Sequence, residues 1–402
     1  MTATSAPKPP VPFFSGAASV RRDWPELEAR IRRVAASGRF TSGPVTAELE
    51  AAIAERTGAR HAIAVANGTD ALIILLRAAG IGPGDEVIVP AYTFFATASA
   101  VLHVGADPVL VDVLPGSYAM DPARAEAAIT GRTKAIMPVH LFSQMADMAM
   151  LKDVADRHGL LLLEDSAEGI DMRADGVHAG LWGSGGVLSF FPTKTLGSLG
   201  DAGMLLTNDD EIAATARRLR CHGQSADGAY GGDGAYVYEE LGYNSRCDEL
   251  QSAFLLHRLP RLSAEIERRA ELAARYDRAL APLADHVRTP FMAPAKSPSN
   301  QVHYVYLIEC DRRDELAAHL DAHGVGTEAY YPRALTDQPL LAPLPGAQHP
   351  VPVARAAAER ALGLPMYPDL TDEQVDRVAG LIHAFYGNHA FHGNHAFYGA
   401  QK

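Results

Sequence analysis

Lys194 lies in the segment SFFPTKTLGSLGDAGMLLTND (Ser189 to Asp209), 29 positions after Asp165. Asp165 and its acidic neighbour Glu164 close the apolar run Leu160 to Leu163. A lysine in a loop of small residues can join its amine to an aldehyde as a Schiff base. A carboxylate at the end of an upstream strand can hold a pyridine nitrogen protonated, so that the ring takes up electrons from a developing carbanion. Together the two are what a pyridoxal phosphate (PLP) site needs. Taken singly, each has a plainer reading, as a surface lysine and as a strand-end acid. The elements that would position them therefore decide.

Those elements alternate. His61 to Ala66, Glu86 to Val89, Pro108 to Val113, Ala135 to Val139, Leu160 to Glu164, Gly186 to Phe190 and Ala202 to Thr207 read as short buried strands. Helical patterns over Gly68 to Ala79, Thr93 to Val104, Ala123 to Ile129 and Met148 to His158 fall between them. Glu26 to Ala36 and Val45 to Thr57 precede as helices. This rhythm predicts an α/β fold: a large domain with a mainly parallel seven-stranded sheet flanked by helices. Ligands in such sheets sit at the carboxyl ends of strands. Asn67, Tyr92, His140, Asp165 and the 190s loop all fall there.

After Glu211 the pattern turns helical, with a long helix over Leu250 to Leu280 broken or bent near Pro260. A second, smaller C-terminal α/β unit follows. Its expected elements are a strand Tyr304 to Cys310, a helix Arg313 to His323, a strand-like stretch Gly326 to Tyr331 and a helix Thr371 to Phe385. The expected division is a loose segment over 1–12, a large domain over 13–254, a small domain over 255–386 and a tail over 387–402. Running from the end of the small domain into that tail, HAFYGN, HAFHGN and HAFYGA repeat from His383, His389 and His395. Such a tract reads either as a metal binder or as a duplication or sequence scar, and it is set aside from the fold.

The chain has 402 residues, 48% hydrophobic and 21% charged, which suits a globular protein with ample core. The net charge of −12 argues against nonspecific binding to nucleic acid or an anionic membrane. Cys221, Cys247 and Cys310 show neither metal-like spacing nor even pairing. No signal-like core opens the chain and no apolar run reaches the roughly 20 residues of a membrane span. The expected location is cytoplasmic, with no metal.

The ordered motifs SGRFTSGP, ANGTDAL, GDEVIVPAYTFFATASAV, VHLFSQMADM, LLEDSAEG, LGYNSRCDELQSA and LPMYPDLT, with the lysine segment, carry a resemblance. The chain resembles the DegT/StrS-type nucleotide-sugar aminotransferases, PLP enzymes of fold type I, over nearly everything from Pro12 to Val378. The resemblance implies catalytic roles for Lys194, as Schiff-base residue and proton shuttle, and for Asp165, as partner of the pyridine nitrogen. It implies that Ser189 gives a hydroxyl to the cofactor phosphate, and that Asn244 reaches the same phosphate from the neighbouring subunit of a homodimer with shared sites. Retention of lysine at 194, where dehydratases of the family have histidine, points to transamination.

Gly68, Thr69 and Asp70 open a helix whose amides and dipole suit the phosphate, though an ordinary capped helix start reads the same way. Phe94 matches the aromatic that stacks on the cofactor ring; the alternative is a core phenylalanine, a role that Phe95 can fill. Arg246 is either at the subunit interface or an ordinary surface arginine. His222 is either a polar lid residue or structural. Gly43-Pro44, the loop Gly223 to Tyr238, Tyr330, Tyr331 and Arg333 resemble regions near the sugar nucleotide, and Arg333 suits one of its phosphates. Two departures stand out. Glu168 replaces the family's Gln or His beside the cofactor phenolate. Tyr330 and Thr336 replace two histidines.

The implied reaction moves an amino group from L-glutamate to a keto group of a nucleotide-linked deoxysugar, with C4 taken over C3, in ping-pong fashion. Rival readings are a keto-cyclitol substrate, or a PLP-binding regulatory protein without catalysis.

Overall fold

Each short apolar strand is followed by a helix that covers one face of the growing sheet, so strands stack side by side and their turns gather at one edge. The structure, a computed structural model, describes residues 9–224, 236–292 and 294–387. Strands β1 (His61–Val65), β2 (Glu86–Pro90), β3 (Asp107–Val111), β4 (Thr133–Ile136) and β5 (Leu161–Asp165) come first. A two-residue hairpin follows, β6 (Arg173–Ala174) with β7 (Val177–His178), and then β8 (Gly185–Ser189) and β9 (Gly203–Thr207). The large sheet runs β1-β9-β8-β5-β4-β2-β3. Only β9 is antiparallel, to both of its neighbours. The mainly parallel seven-stranded sheet expected from the sequence is present.

The Gly68–Ala78 helix is apolar nearly all round because it is covered on all sides: Leu72 to Leu76 are buried, against the sheet and the Asp210–Leu219 helix. Asn67 caps it, its side chain accepting the Asp70 amide at 2.8 Å.

The smaller C-terminal domain carries an antiparallel sheet of β10 (Val287–Arg288), β11 (Tyr306–Cys310) and β12 (Ala361–Leu364). Helices Leu262–Leu280, Arg313–Ala322 and Asp372–Gly387 enclose a core that includes Leu272, Tyr276, Ile308, Leu316 and Ile382. Arg269 is fully buried there. Its guanidinium donates to the carbonyls of His303, Tyr304 and Met366 at 3.2, 3.1 and 3.0 Å.

Several elements differ from expectation. The first helix spans Ala17–Ser37 and runs through Pro25, because Asp23 is buried and paired with Arg261 of a distant segment. The break near Pro260 is a 3-10 turn, Leu259–Arg261, between helices Glu249–Arg258 and Leu262–Leu280. Gly326 to Tyr331 is not a strand and keeps one bridge, Glu328 to Gly363. Thr93 to Phe95 lie outside the Ala96–His103 helix. Within the start of the chain, expected to be loose, Val11 is buried and bridged to Val325. The repeats beyond Gly387 and residues 225–235 of the Gly223 to Tyr238 loop lie outside the described residues. Among those described, no helix is long and apolar enough to cross a membrane, and no group of three or more His, Cys, Asp or Glu side chains is arranged to hold a metal.

Candidate active site

The parallel strands point their carboxyl ends at one cavity of about 680 Å³. Asp165 ends β5, Ser189 ends β8, and β1 leads through Asn67 into Gly68, Thr69 and Asp70; all of these line the cavity. The first amides of that helix have no acceptor within it. Space is tight here: a Cβ on Gly68 would lie 2.9 Å from the Ser189 Cβ, so only glycine lets the two strands' ends approach so closely. The Ser189 hydroxyl accepts the Phe191 amide at 3.3 Å, which leaves its proton to give.

Asp165 is buried. Thr97 donates its hydroxyl to Oδ2 at 2.7 Å and the Ala167 amide donates to Oδ1 at 3.2 Å. Burial is the largest influence and raises its pKa above the usual aspartate value, against these hydrogen bonds. A pyridinium beside it would act in the opposite sense, because a neighbouring positive charge favours the carboxylate. Glu164, its neighbour in sequence, points away from this chemistry. It accepts His140 Nε2 at 2.9 Å and the amides of Gly180, Trp182 and Gly183, a set of bonds that fixes the turn after the hairpin.

Lys194 sits on the loop between β8 and β9, its amide bonded to the Phe191 carbonyl at 2.8 Å. Its Nζ donates to Glu168 Oε1 at 2.9 Å and lies 4.2 Å from the centre of the Tyr304 ring. Glu168 is buried, and its other oxygen accepts the Phe142 amide at 2.6 Å. Tyr304 shares a hydrogen bond with Thr193 Oγ1 at 2.9 Å, and burial pushes its phenol up to about 12. Phe94 lines the cavity, 59% exposed, with its ring 6.0 Å from that of Tyr331. Phe95 packs against the core instead. Tyr330 and Tyr331 complete the wall, while Thr336 is buried outside it.

Three expected site residues stand apart from the cavity in this chain. Asn244 is exposed and its side-chain oxygen accepts from Arg246. His222 is exposed at positive φ, with its amide on the Tyr243 carbonyl. Arg333 is exposed. Conversely, Thr97, Phe142 and Tyr304 were not singled out from the sequence. Thr97 had a signal in hindsight, one helical turn past Thr93 behind the aromatic pair. Tyr304 had none, since it arrives from the other domain 110 positions after Lys194.

A buried strand-end aspartate, a lysine within the same cavity, and a capped helix start packed on a serine fit PLP, and with the sheet order they define a PLP-dependent enzyme. The chain belongs to the DegT/DnrJ/EryC1/StrS aminotransferase family, which it matches over residues 23–383. It is 44% identical over 363 residues to a "Pleiotropic regulatory protein" of Geobacillus stearothermophilus, covering 90% of this chain and 95% of that one. It is 42% identical to the UDP-N-acetyl-3-dehydro-alpha-D-glucosamine 3-aminotransferase of Acidithiobacillus ferrooxidans, over 89% of this chain and 93% of that one. Among solved structures it is similar to DesV of S. venezuelae in complex with a ketimine intermediate. That match has a TM-score of 0.87 and 39% identity, over 94% of this chain and 98% of that one. The chain is a PLP-dependent sugar aminotransferase, as its sequence led us to expect.

Proposed function

We propose that the protein transfers an amino group from L-glutamate to a keto group of a nucleotide-linked deoxysugar, and that the position aminated is C3. The observation that carries the transfer is the meeting of Lys194 and Asp165 in one cavity beneath a helix start. C3 rather than the C4 expected from the sequence rests on the activity named for the Acidithiobacillus relative, and the deoxysugar on that named for a 40% identical relative, the dTDP-3-amino-3,4,6-trideoxy-alpha-D-glucose transaminase of Streptomyces venezuelae. Bound in the cavity, PLP supplies an electron sink for the carbon that exchanges its proton. Asp165 holds the ring nitrogen. Gly68, Thr69 and Ser189 bind the phosphate, and Phe94 covers a ring face. Lys194 Nζ carries the proton between carbons, and its position over Tyr304 keeps it at the cavity wall.

A second copy of the chain belongs to this reading. Phe40, Leu199 and Leu250 are exposed apolar side chains. The Glu249 amide donates to the Phe40 carbonyl and the Leu199 amide to the Gln251 side chain, so the three segments adjoin, and Leu199 lies on the loop that carries Lys194. Exposed apolar side chains on adjoining segments support an interface there. Among the described residues, the only basic side chains lining the cavity are Lys194 and His140, against Asp70, Asp165, Glu168 and Asp201. A phosphate ligand calls for more donors, and Asn244 of a second subunit is the one we assign.

Incubation with glutamate and 3-keto or 4-keto nucleotide sugars, followed by product NMR and assay of 2-oxoglutarate, tests the substrate. Turnover of the 4-keto sugar alone overturns C3. Turnover of a keto-inositol alone favours the cyclitol reading.

A further inference from the structure

Glu168 is held independently of Lys194. The Phe142 amide fixes one carboxylate oxygen at 2.6 Å, so the other stays aimed at the Lys194 nitrogen, 2.9 Å away. The side chain is buried, 5% exposed, and water therefore screens the pair weakly. The other ionisable groups that line the same cavity are differently engaged or stand elsewhere on its wall. Asp165 is bonded by Thr97 and the Ala167 amide. His140 donates Nε2 to Glu164 and accepts the Ala146 amide at Nδ1. Tyr304 presents its ring face, and Asp70, Asp201, Tyr330 and Tyr331 lie elsewhere on the wall. Of all these, Glu168 alone touches the nitrogen as a hydrogen-bond acceptor.

We propose that Glu168 is a positioning residue that fixes the Lys194 nitrogen in the cavity and favours a proton on that nitrogen once it is joined to the cofactor. The family's Gln or His at this position can accept a hydrogen bond but brings no negative charge. In this chain a full negative charge stands 2.9 Å from the nitrogen instead. The inference rests on the assignment of Lys194 as the cofactor-bearing residue.

The sign follows from charge. A carboxylate within about 4 Å favours the positively charged nitrogen, so its removal makes the proton leave at lower pH. The experiment compares native protein with Glu168→Gln and Glu168→Asp, each loaded with PLP. The cofactor's visible absorption is followed against pH, and borohydride reduction with peptide mapping locates the cofactor in each. Glu168→Gln keeps the size and the bond to Phe142, and its spectral midpoint should fall by about one pH unit or more. Glu168→Asp keeps the charge at longer reach, and its midpoint should lie between the other two. An unmoved midpoint in Glu168→Gln overturns the proposal. So does an aspartate variant that titrates no higher than the glutamine one, because charge would then not be the cause. Cofactor mapped to a lysine other than Lys194 in the native chain sinks the site reading instead, and that outcome is distinguishable from either spectral result.

Discussion

Lys194 and Asp165 were legible as chemistry because strand and helix rhythm places both at the carboxyl ends of strands, and because their neighbours repeat a family order. What held them was less legible. Thr97, Phe142 and Tyr304 act through contacts that exist only once the sheet is wound and the second domain docks. Glu168 was visible as a departure, but the sequence did not say which way it points. The structure turns it to Lys194. At this scale, Lys194→Ala should fold and bind PLP without a covalent link. Borohydride should fix cofactor to the native chain and not to the variant, and turnover should drop by several orders of magnitude. Label on a different lysine in the native protein would refute the role. Thr97→Val should also show itself. It removes the hydroxyl bonded to Asp165 at 2.7 Å and leaves a buried carboxylate with less support. A loss of about 1–3 kcal/mol in cofactor affinity is expected, read as a 5- to 150-fold faster or weaker hold on PLP in dialysis. An unchanged dissociation constant would mean that the Thr97 bond does not serve the cofactor.

Strand and helix rhythm survived translation into structure because each strand is buried on both faces, and such runs are read easily from apolar stretches. Boundaries moved where tertiary contacts outweigh local preference, as at Asp23, whose pairing with Arg261 draws the first helix back past Pro25. The strand Ala361–Leu364 and the helix Pro352–Arg360 went unread. The strand is four residues long with a glycine inside it, and alanines dominate the helix, so neither gives a clear period. The helix start at Gly68 is the element on which the phosphate reading depends. Gly68→Ala would place a Cβ 2.9 Å from that of Ser189. The strand end or the helix start must then shift by tenths of an ångström, at a cost of about 1–3 kcal/mol. We expect PLP affinity to fall at least tenfold while the far-UV spectrum stays native. Native affinity in this variant would show that the helix start does not hold the phosphate.

Two predictions belong to the whole molecule. One tests the proposed second subunit. Lys194→Ala and an Asn244→Ala variant, each inactive, should recover activity when mixed under conditions of subunit exchange, since one hybrid site then carries both groups. Failure to recover, with exchange verified, would place Asn244 in service of its own chain or of none. The other is acid sensitivity, which follows from histidines buried neutral. His178 gives Nδ1–H to the Ala179 carbonyl at 2.5 Å and accepts the Asp171 amide at Nε2, 3.0 Å away, so a second proton would destroy the second bond. Burial lowers its pKa from 6.5 to about 4. His303 is also held near 4, by burial first and by the Arg269 charge second, and its buried Nδ1 has no partner. Between these values and 6.5 the unfolded chain binds protons that the folded chain refuses. The stability that these rings contribute must therefore rise with pH across that window and fall as pH drops from about 6.5 toward 4. Each histidine is worth on the order of 3 kcal/mol over the whole window. Carboxylates held below their usual values, such as Asp23 beside Arg261, begin to contribute only at the acid end of it. The thermal midpoint should accordingly decline well before carboxylates titrate. His303→Gln should flatten part of that decline, because a neutral amide has no proton to refuse. A midpoint flat from pH 6.5 to 4.5 in the native protein, or an equally steep decline in His303→Gln, would show that these rings accept protons in the folded state.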